Sequence, residues 1–316
     1  MSYCLYVVVP CFNEEAVLKE TTSQICQILS KMADESLISN NSRILYVDDG
    51  STDNTWSIID ECSQKYGNIC GLKLAANYGH QNALMAGLEM GGAKADIIIT
   101  VDADLQDDIS LIPEMVQRYN EGYDIVCGVR SDRDNDSFLH RACAYGFYRF
   151  MNLLGTKTIF NHADFRLMSK RAVLQLCKYR ERNIYLRGMI LKVGYRHTCV
   201  YYSRKKRVAG ESHYSYSKLV GLAVEGITSF SIKPLRYVFV LGMFFVLLSL
   251  AIFVYVIWGI LAGRSIGGWP SIILSIWLVG GCLLIGMGVV GEYIGKIYME
   301  VKGRPRYNIE IIKGLD

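Results

Sequence analysis

The chain has 316 residues, 51% hydrophobic and 20% charged, with a formal net charge of +4. That length allows two structural units, and so small a charge gives no argument for a nucleic-acid partner. Its ten cysteines form no Cys-x-x-Cys pair and no Cys/His cluster of zinc spacing, which argues against a disulfide framework or a zinc site and for reduced, buried thiols in a cytosolic domain.

Met1-Ser-Tyr-Cys-Leu-Tyr6 has no basic n-region and no small-residue cleavage site, so no signal peptide is expected. The first half then alternates two patterns. Short apolar runs at 3–9, 43–47, 69–74, 96–101 and 124–129 read as buried strands; 14–32, 55–66, 81–91 and 109–120 read as helices, with Asp53 as an N-cap of the second. Such alternation predicts an α/β fold with a mainly parallel sheet and helices on both faces. Polar loops follow three of the strands: Pro10-Cys-Phe-Asn-Glu-Glu15, Asp48-Asp-Gly-Ser-Thr-Asp53 and Asp102-Ala-Asp-Leu-Gln106. Ligands of open α/β sheets gather at such strand ends.

The third loop is the most informative. Asp102 and Asp104 close a β-branched run, and two carboxylates so close repel unless a cation lies between them. Mg²⁺ or Mn²⁺ clamped to a diphosphate takes one or two carboxylates plus phosphate oxygens. A solvated acidic turn before a helix is the competing reading. In the second loop Gly50 supports a tight turn and a carboxylate can accept hydrogen bonds from ribose, although a plain strand–turn–helix cap fits equally well. Pro10 and Phe12 could shape a slot for a nucleobase or be an ordinary turn. Asn77-Tyr-Gly-His80 leads into a helix whose amides favour anions, and His80 by itself reads as a surface residue.

Residues 130–215 are more basic and aromatic. Asp164-Phe-Arg-Leu-Met168, with Arg130, Arg133, Arg141, Arg187 and the stretch 204–214, supplies positive charge suited to phosphate. Arg204-Lys-Lys-Arg207 suits an anionic lipid surface. The segment 218–233 is amphipathic enough to lie in a membrane interface.

Two uncharged runs follow, 25 residues at 237–261 and 27 at 265–291, each long enough to cross a bilayer. Arg264 is the one basic residue between them, whereas Lys233 and Arg236 precede the pair and Lys296, Lys302, Arg304 and Arg306 follow it. The positive-inside rule then predicts a helical hairpin with the N-terminal mass and C-terminus in the cytoplasm. Gly286, Gly288 and Gly291 form a Gly-x-Gly-x-x-Gly inside the second run. With no soluble strand before it, this is not a nucleotide motif; small residues there, including Gly291 and Gly295, are expected to let helices approach closely.

With these motifs in view, the chain resembles the GT-A family 2 glycosyltransferases and, within them, the polyprenyl-phosphate glycosyltransferases. The first motifs, including Val9-Pro-Cys-Phe-Asn-Glu-Glu15, Val47-Asp-Asp-Gly-Ser-Thr-Asp53 and Asp102-Ala-Asp-Leu-Gln-Asp107, mark the broad family. Ala209-Gly-Glu-Ser-His-Tyr214, Ile227-Thr-Ser-Phe-Ser231, Gly291-Glu-Tyr-Ile-Gly295 and Arg304-Pro305, together with the two spans, are similar to bactoprenol (undecaprenyl-phosphate) glucosyltransferases; dolichol-phosphate mannosyltransferases are also related in pattern.

The resemblance implies a GT-A domain at 1–215, an amphipathic juxtamembrane segment at 216–236, two transmembrane helices at 237–295 and a cytosolic tail at 296–316, in a multi-pass protein of the inner (plasma) membrane. It implies that Pro10, Phe12, Glu14, Asp49, Asn77 and Asp102 hold the nucleotide sugar. Asp102, Asp104 and Gln106 would surround Mg²⁺ or Mn²⁺, and Asp164, Asp104 and Arg166 would be catalytic. Arg130, Arg133, Arg204, Arg207, Ser212 and Tyr214 would meet lipid phosphate. Two departures stand out: Asp108 where the family commonly has Pro, and His213 where it often has Lys.

The reaction expected is inverting transfer of glucose from UDP-glucose to undecaprenyl phosphate, by a homo-oligomer at the membrane. Other donors of the same class are UDP-N-acetylhexosamine, GDP-mannose and UDP-4-amino-arabinose. A processive polysaccharide synthase is disfavoured because Gln-x-x-Arg-Trp is absent from the sequence. A membrane-tethered sugar-nucleotide sensor without turnover is the reading from another class.

Overall fold

A computed structural model describes residues 2–131, 162–182, 186–203, 233–262 and 268–315. They fall into two compact units, one of Met1–Leu153, Lys157–Ser215 and Arg304–Asp316, the other of Leu154–Thr156 and Tyr216–Gly303.

The first unit is built on an eight-stranded sheet. Strands β1 (Leu5–Cys11), β2 (Arg43–Asp48), β3 (Ile69–Leu74) and β4 (Ile97–Thr100) form where the apolar runs predict them, because both faces of the sheet are covered and most side chains along them are apolar. Helices α1 (Leu18–Asp34), α2 (Thr55–Lys65) and α3 (His80–Gly92) return the chain between them, so β1 pairs in parallel with β2 and β4, and β2 with β3. A short 3₁₀ turn at Ile109–Leu111, helix α4 (Ile112–Asn120) and strand β5 (Ile125–Arg130) complete the predicted series. Asp53 is not the N-cap of α2; Asn54 occupies that position, although Asp53 Oδ1 accepts the Thr55 amide at 3.0 Å.

Later elements insert into this frame. Strand β6 (His162–Ser169) runs antiparallel between β4 and β5, followed by α5 (Lys170–Cys177) and α6 (Leu186–Lys192); β7 (His197–Tyr202) then pairs in parallel with β5. The final order is β7-β5-β6-β4-β1-β2-β3-β8, mostly parallel and mixed α/β. Strand β8 (Ile309–Lys313) is built from the end of the chain and lies antiparallel on β3. No strand was expected there.

The second unit contains two long helices, α7 (Lys233–Leu261) and α8 (Trp269–Val301). Among the described residues one stretch, Leu278–Val301, is long and apolar enough to cross a membrane, and Leu235–Phe245 is a shorter apolar segment. The helices touch at Gly286, where a Cβ would lie 3.2 Å from Val238 Cγ1. Among the described residues nothing lies within 4 Å of a Cβ at Gly291 or Gly295, so no close helix approach is seen at that pair. Of the interfacial segment expected at 218–233, residues 218–232 lie outside the described residues, as do His213, Arg141 and Arg264.

Candidate active site

Strand order reverses at β1, with β2 and β3 on one side and β4 on the other. The crevice at the carboxyl end of such a reversal is the ligand site of open α/β sheets. The loops after β1 and β2 are knitted into one surface there. Asn13, at φ +56, donates its amide to Ser51 Oγ (2.9 Å) and accepts the Thr52 amide (2.8 Å). Glu15 Oε2 accepts both the backbone and side-chain nitrogens of Asn54 at 3.0 Å, and the Glu14 amide donates to Thr55 Oγ1 at 2.8 Å. Pro10 is buried in β1, Glu14 is half-buried, and Phe12 stands 43% exposed.

Asp49 is buried and uses both carboxylate oxygens on backbone, taking the amides of Tyr78 (2.7 Å) and Gly79 (2.8 Å). Burial raises its pKa and those two amides oppose the rise. The expected ribose acceptor therefore first fixes the loop from β3 to α3. Asn77 on that loop is exposed and accepts the Gly79 amide at 3.1 Å.

The loop after β4 holds the acidic pair. Thr21 Oγ1 of α1 donates to the Ala103 carbonyl at 2.8 Å, and Asp104 Oδ1 accepts the Gln106 amide at 3.2 Å. Leu105 has φ +54, a conformation costly for a bulky residue and the kind of strain that collects at functional loops. Gln106 is buried, and Asp108 caps the 3₁₀ turn through the Ser110 amide. Asp102 is 29% exposed as a side chain, yet its Oδ1 is buried without a hydrogen bond. Its pKa is pushed up to about 6, first by desolvation and then by Asp164, Asp107 and Asp104, against the pull of His80.

Facing this pair is a second cluster, on β6 and α6. Asp164, 6% exposed, bonds the almost fully buried Arg166 through Oδ1 and Arg187 Nη2 through Oδ2 at 3.0 Å. His80 Nε2 lies 3.5 Å from Asp164 Oδ2 and 3.6 Å from Asp102 Oδ1, so one imidazole bridges the clusters. Desolvation alone would raise the Asp164 pKa, but Arg187, Arg166 and His80 together hold it well below the usual carboxylate range. Desolvation opposes protonation of His80, and the two carboxylates outweigh it, raising its pKa. His162 is buried with neither ring nitrogen bonded; desolvation, Arg166 and Arg187 push its pKa well down and keep it neutral.

Arg130, at the end of β5, donates to Asp107 Oδ1 at 2.9 Å and to Tyr202 Oη at 3.4 Å, and Tyr202 also bonds Asp107. Arg187, read in sequence as phosphate-facing charge, lies on Asp164 instead. Arg133, Arg204, Arg207, Ser212 and Tyr214 lie outside the described residues. The structure thus brings together Asp102, Asp104, Asp164 and Arg166. It adds His80, Asp107 and Tyr202, whose only sequence signal is their lying in or near the motif loops, and gives Arg187 a carboxylate partner.

No group of three His, Cys, Asp or Glu ligands occurs among the described residues. A divalent cation that draws its other ligands from a diphosphate does not need one. The unbonded Asp102 oxygen, beside a carboxyl whose pKa is raised by desolvation and by three neighbouring carboxylates, fits such an ion. Chemically, the crevice can hold a cation-bound anion on one side, opposite an Asp–Arg–Arg cluster whose carboxylate is held well below the usual range.

Residues 6–176 match Glycosyl transferase family 2. The uncharacterized glycosyltransferase YkoT of Bacillus subtilis is 48% identical over 97% of this chain and 91% of its own length. The SfII prophage-derived bactoprenol glucosyl transferase of Shigella flexneri is 40% identical over 96% of each. Among solved structures, the mannosyltransferase PcManGT from Pyrobaculum calidifontis, in complex with GDP-Man and Mn²⁺, is 15% identical with a TM-score of 0.49, covering 94% of this chain and 85% of that one. This chain belongs to glycosyl transferase family 2 and is a glycosyltransferase.

Proposed function

We propose that the protein moves glucose from UDP-glucose to undecaprenyl phosphate, with inversion at the anomeric carbon, on the cytoplasmic face of a membrane that α7 and α8 enter as a hairpin. The observation that carries the reading is the opposition of Asp102 and Asp104 to the Asp164–Arg166–Arg187 cluster across His80, at the reversal of strand order. The 40% identity to bactoprenol glucosyl transferases supports the lipid acceptor and glucose, and the apolar Leu278–Val301 supports the membrane.

In this reading Phe12, with Pro10 behind it and Glu14 beside it, meets the nucleoside, while Asp49 and Asn77 set the loop against it. Asp102 and Asp104 would hold Mg²⁺ or Mn²⁺ on the diphosphate, with Gln106 buried behind them. When bound, such an ion neutralises charge developing on the departing UDP. The acceptor oxygen is already an anion, so attack on the anomeric carbon needs no strong base. Asp164, held ionised by two guanidiniums, then orients Arg166, Arg187 and His80 around the sugar and acceptor phosphate. Arg130 and Arg133, followed by Arg204, Arg207, Ser212 and Tyr214, would lead the lipid phosphate in.

The test is a donor panel. Purified full-length protein in detergent, with undecaprenyl phosphate and Mn²⁺, receives labelled UDP-glucose, UDP-N-acetylhexosamine, GDP-mannose or UDP-4-amino-arabinose, and thin-layer separation reads the lipid product. Labelled lipid from UDP-glucose alone is expected. Product from another donor would move the sugar assignment, and release of free sugar without lipid product would sink the acceptor.

A further inference from the structure

The end of the chain touches the crevice at second hand. The Ala75 amide donates to the Asn308 carbonyl at 2.9 Å, and Asn308 Nδ2 donates to Tyr78 Oη at 3.2 Å. Tyr307 Oη bonds the Glu89 carboxylate on α3, and Arg306 Nη1 lies 3.5 Å from the same group. The loop 75–79 is therefore gripped from two sides. On the other side Asp49 takes the Tyr78 and Gly79 amides, and Gly50 approaches so closely that a Cβ there would sit 2.6 Å from the Ala76 carbonyl carbon. What this loop delivers is His80, the first residue of α3 and the bridge between Asp102 and Asp164.

We propose that Tyr307 and Asn308 are positioning residues, holding the loop and α3 so that His80 lies across the two carboxylates. The strand β8 that follows them then acts as part of the site's frame as well as an edge of the sheet. The proposal rests on reading the crevice as the donor site only for its effect on nucleotide; the effect on the loop stands apart.

The far end of the same strand supplies the control. Lys313 pairs with Asp60 on α2, remote from the loop in sequence and on a different helix from His80. Removing it weakens β8 without touching residues 75–80.

Hydrogen exchange of the segment 75–80 is measured in the full-length protein in detergent, alongside calorimetric titration with UDP and Mn²⁺. For Asn308→Ala and Tyr307→Phe, exchange about five to ten times faster and UDP binding weaker by a similar factor are expected, the scale of one lost hydrogen bond. Lys313→Ala should lower the thermal midpoint comparably while leaving both readouts at the wild-type value. Wild-type exchange in Asn308→Ala, or equal acceleration by Lys313→Ala, would overturn the proposal. Faster exchange in a protein whose wild type binds no UDP would uphold the positioning role and count against the donor reading instead.

Discussion

A carboxylate with two arginines is a poor proton acceptor, which argues against Asp164 as a base. Its folded pKa lies well below the ordinary value, so it stays ionised from pH 5 to 9. The sign for stability follows: the contribution is complete above the unfolded pKa near 4 and is lost as pH falls toward the depressed one. Asp164→Asn leaves the buried Arg166 without its counter-charge, which is expected to cost about 3 kcal/mol. Loss of oriented charge should lower kcat by about 10²-fold or more. The rate profile between pH 5 and 9, measured on the folded enzyme, should keep any acid limb of the wild type and move it to lower pH, because Asp164 also raises the pKa of His80 and Asp102. An acid limb present in the wild type and missing in Asp164→Asn would instead identify a base. The sequence carried Asp164 and Arg166 as a polar run and did not reveal their burial, because a buried ion pair in a strand breaks the apolar pattern that marks burial elsewhere. His80 was illegible for a related reason: only β4 and β6, brought side by side, give it two carboxylates to bridge.

At the scale of elements, the second loop shows how a single backbone position joins two strand ends. Gly50 has φ +69, and its missing Cβ would fall 2.6 Å from Ala76 C and 2.7 Å from Asn77 N, both backbone atoms that do not swing aside. Gly50→Ala therefore meets both a strained conformation and a clash, and is expected to cost about 2–4 kcal/mol. Gly67, in the turn before β3, has an ordinary φ and nothing within 4 Å of its Cβ position. Gly67→Ala should stay within about 0.5 kcal/mol of wild type. Denaturant melts of the pair measure both, and equal stability would remove the close approach as a constraint. Strands β1 to β5 were legible because each is a mainly apolar run between turn residues. β8 was not, since Ile309-Glu-Ile-Ile-Lys313 is five residues long, with Ile309 and Ile312 left exposed, and gains its strand character only from pairing with β3.

For the whole molecule, the order of the chain matters more than the order of its motifs. The catalytic unit is interrupted: Arg304–Asp316 returns to it after the two long helices. The returning segment covers the β3 edge, with Gly314 O accepting Arg43 Nη1 at 2.6 Å and Cys70 Sγ at 2.8 Å, Lys73 paired with Glu310 at 2.9 Å, and Leu315 buried. A chain cut after residue 215 loses that cover, and an uncovered edge strand is an aggregation template. Such a truncated chain is expected to be insoluble or to melt well below the full-length protein in detergent. Rejoining residues 304–316 to residue 215 through a long flexible Gly/Ser linker should restore a cooperative transition, since added linker length costs little entropy. Light scattering and thermal melts of the two chains separate the cases. If 1–215 alone is monomeric and melts like the rejoined chain, β8 is an ornament on a self-sufficient sheet. If only the rejoined chain folds, the segment after the apolar helix is an integral strand of the enzyme, and the two long helices interrupt the chain path of that unit.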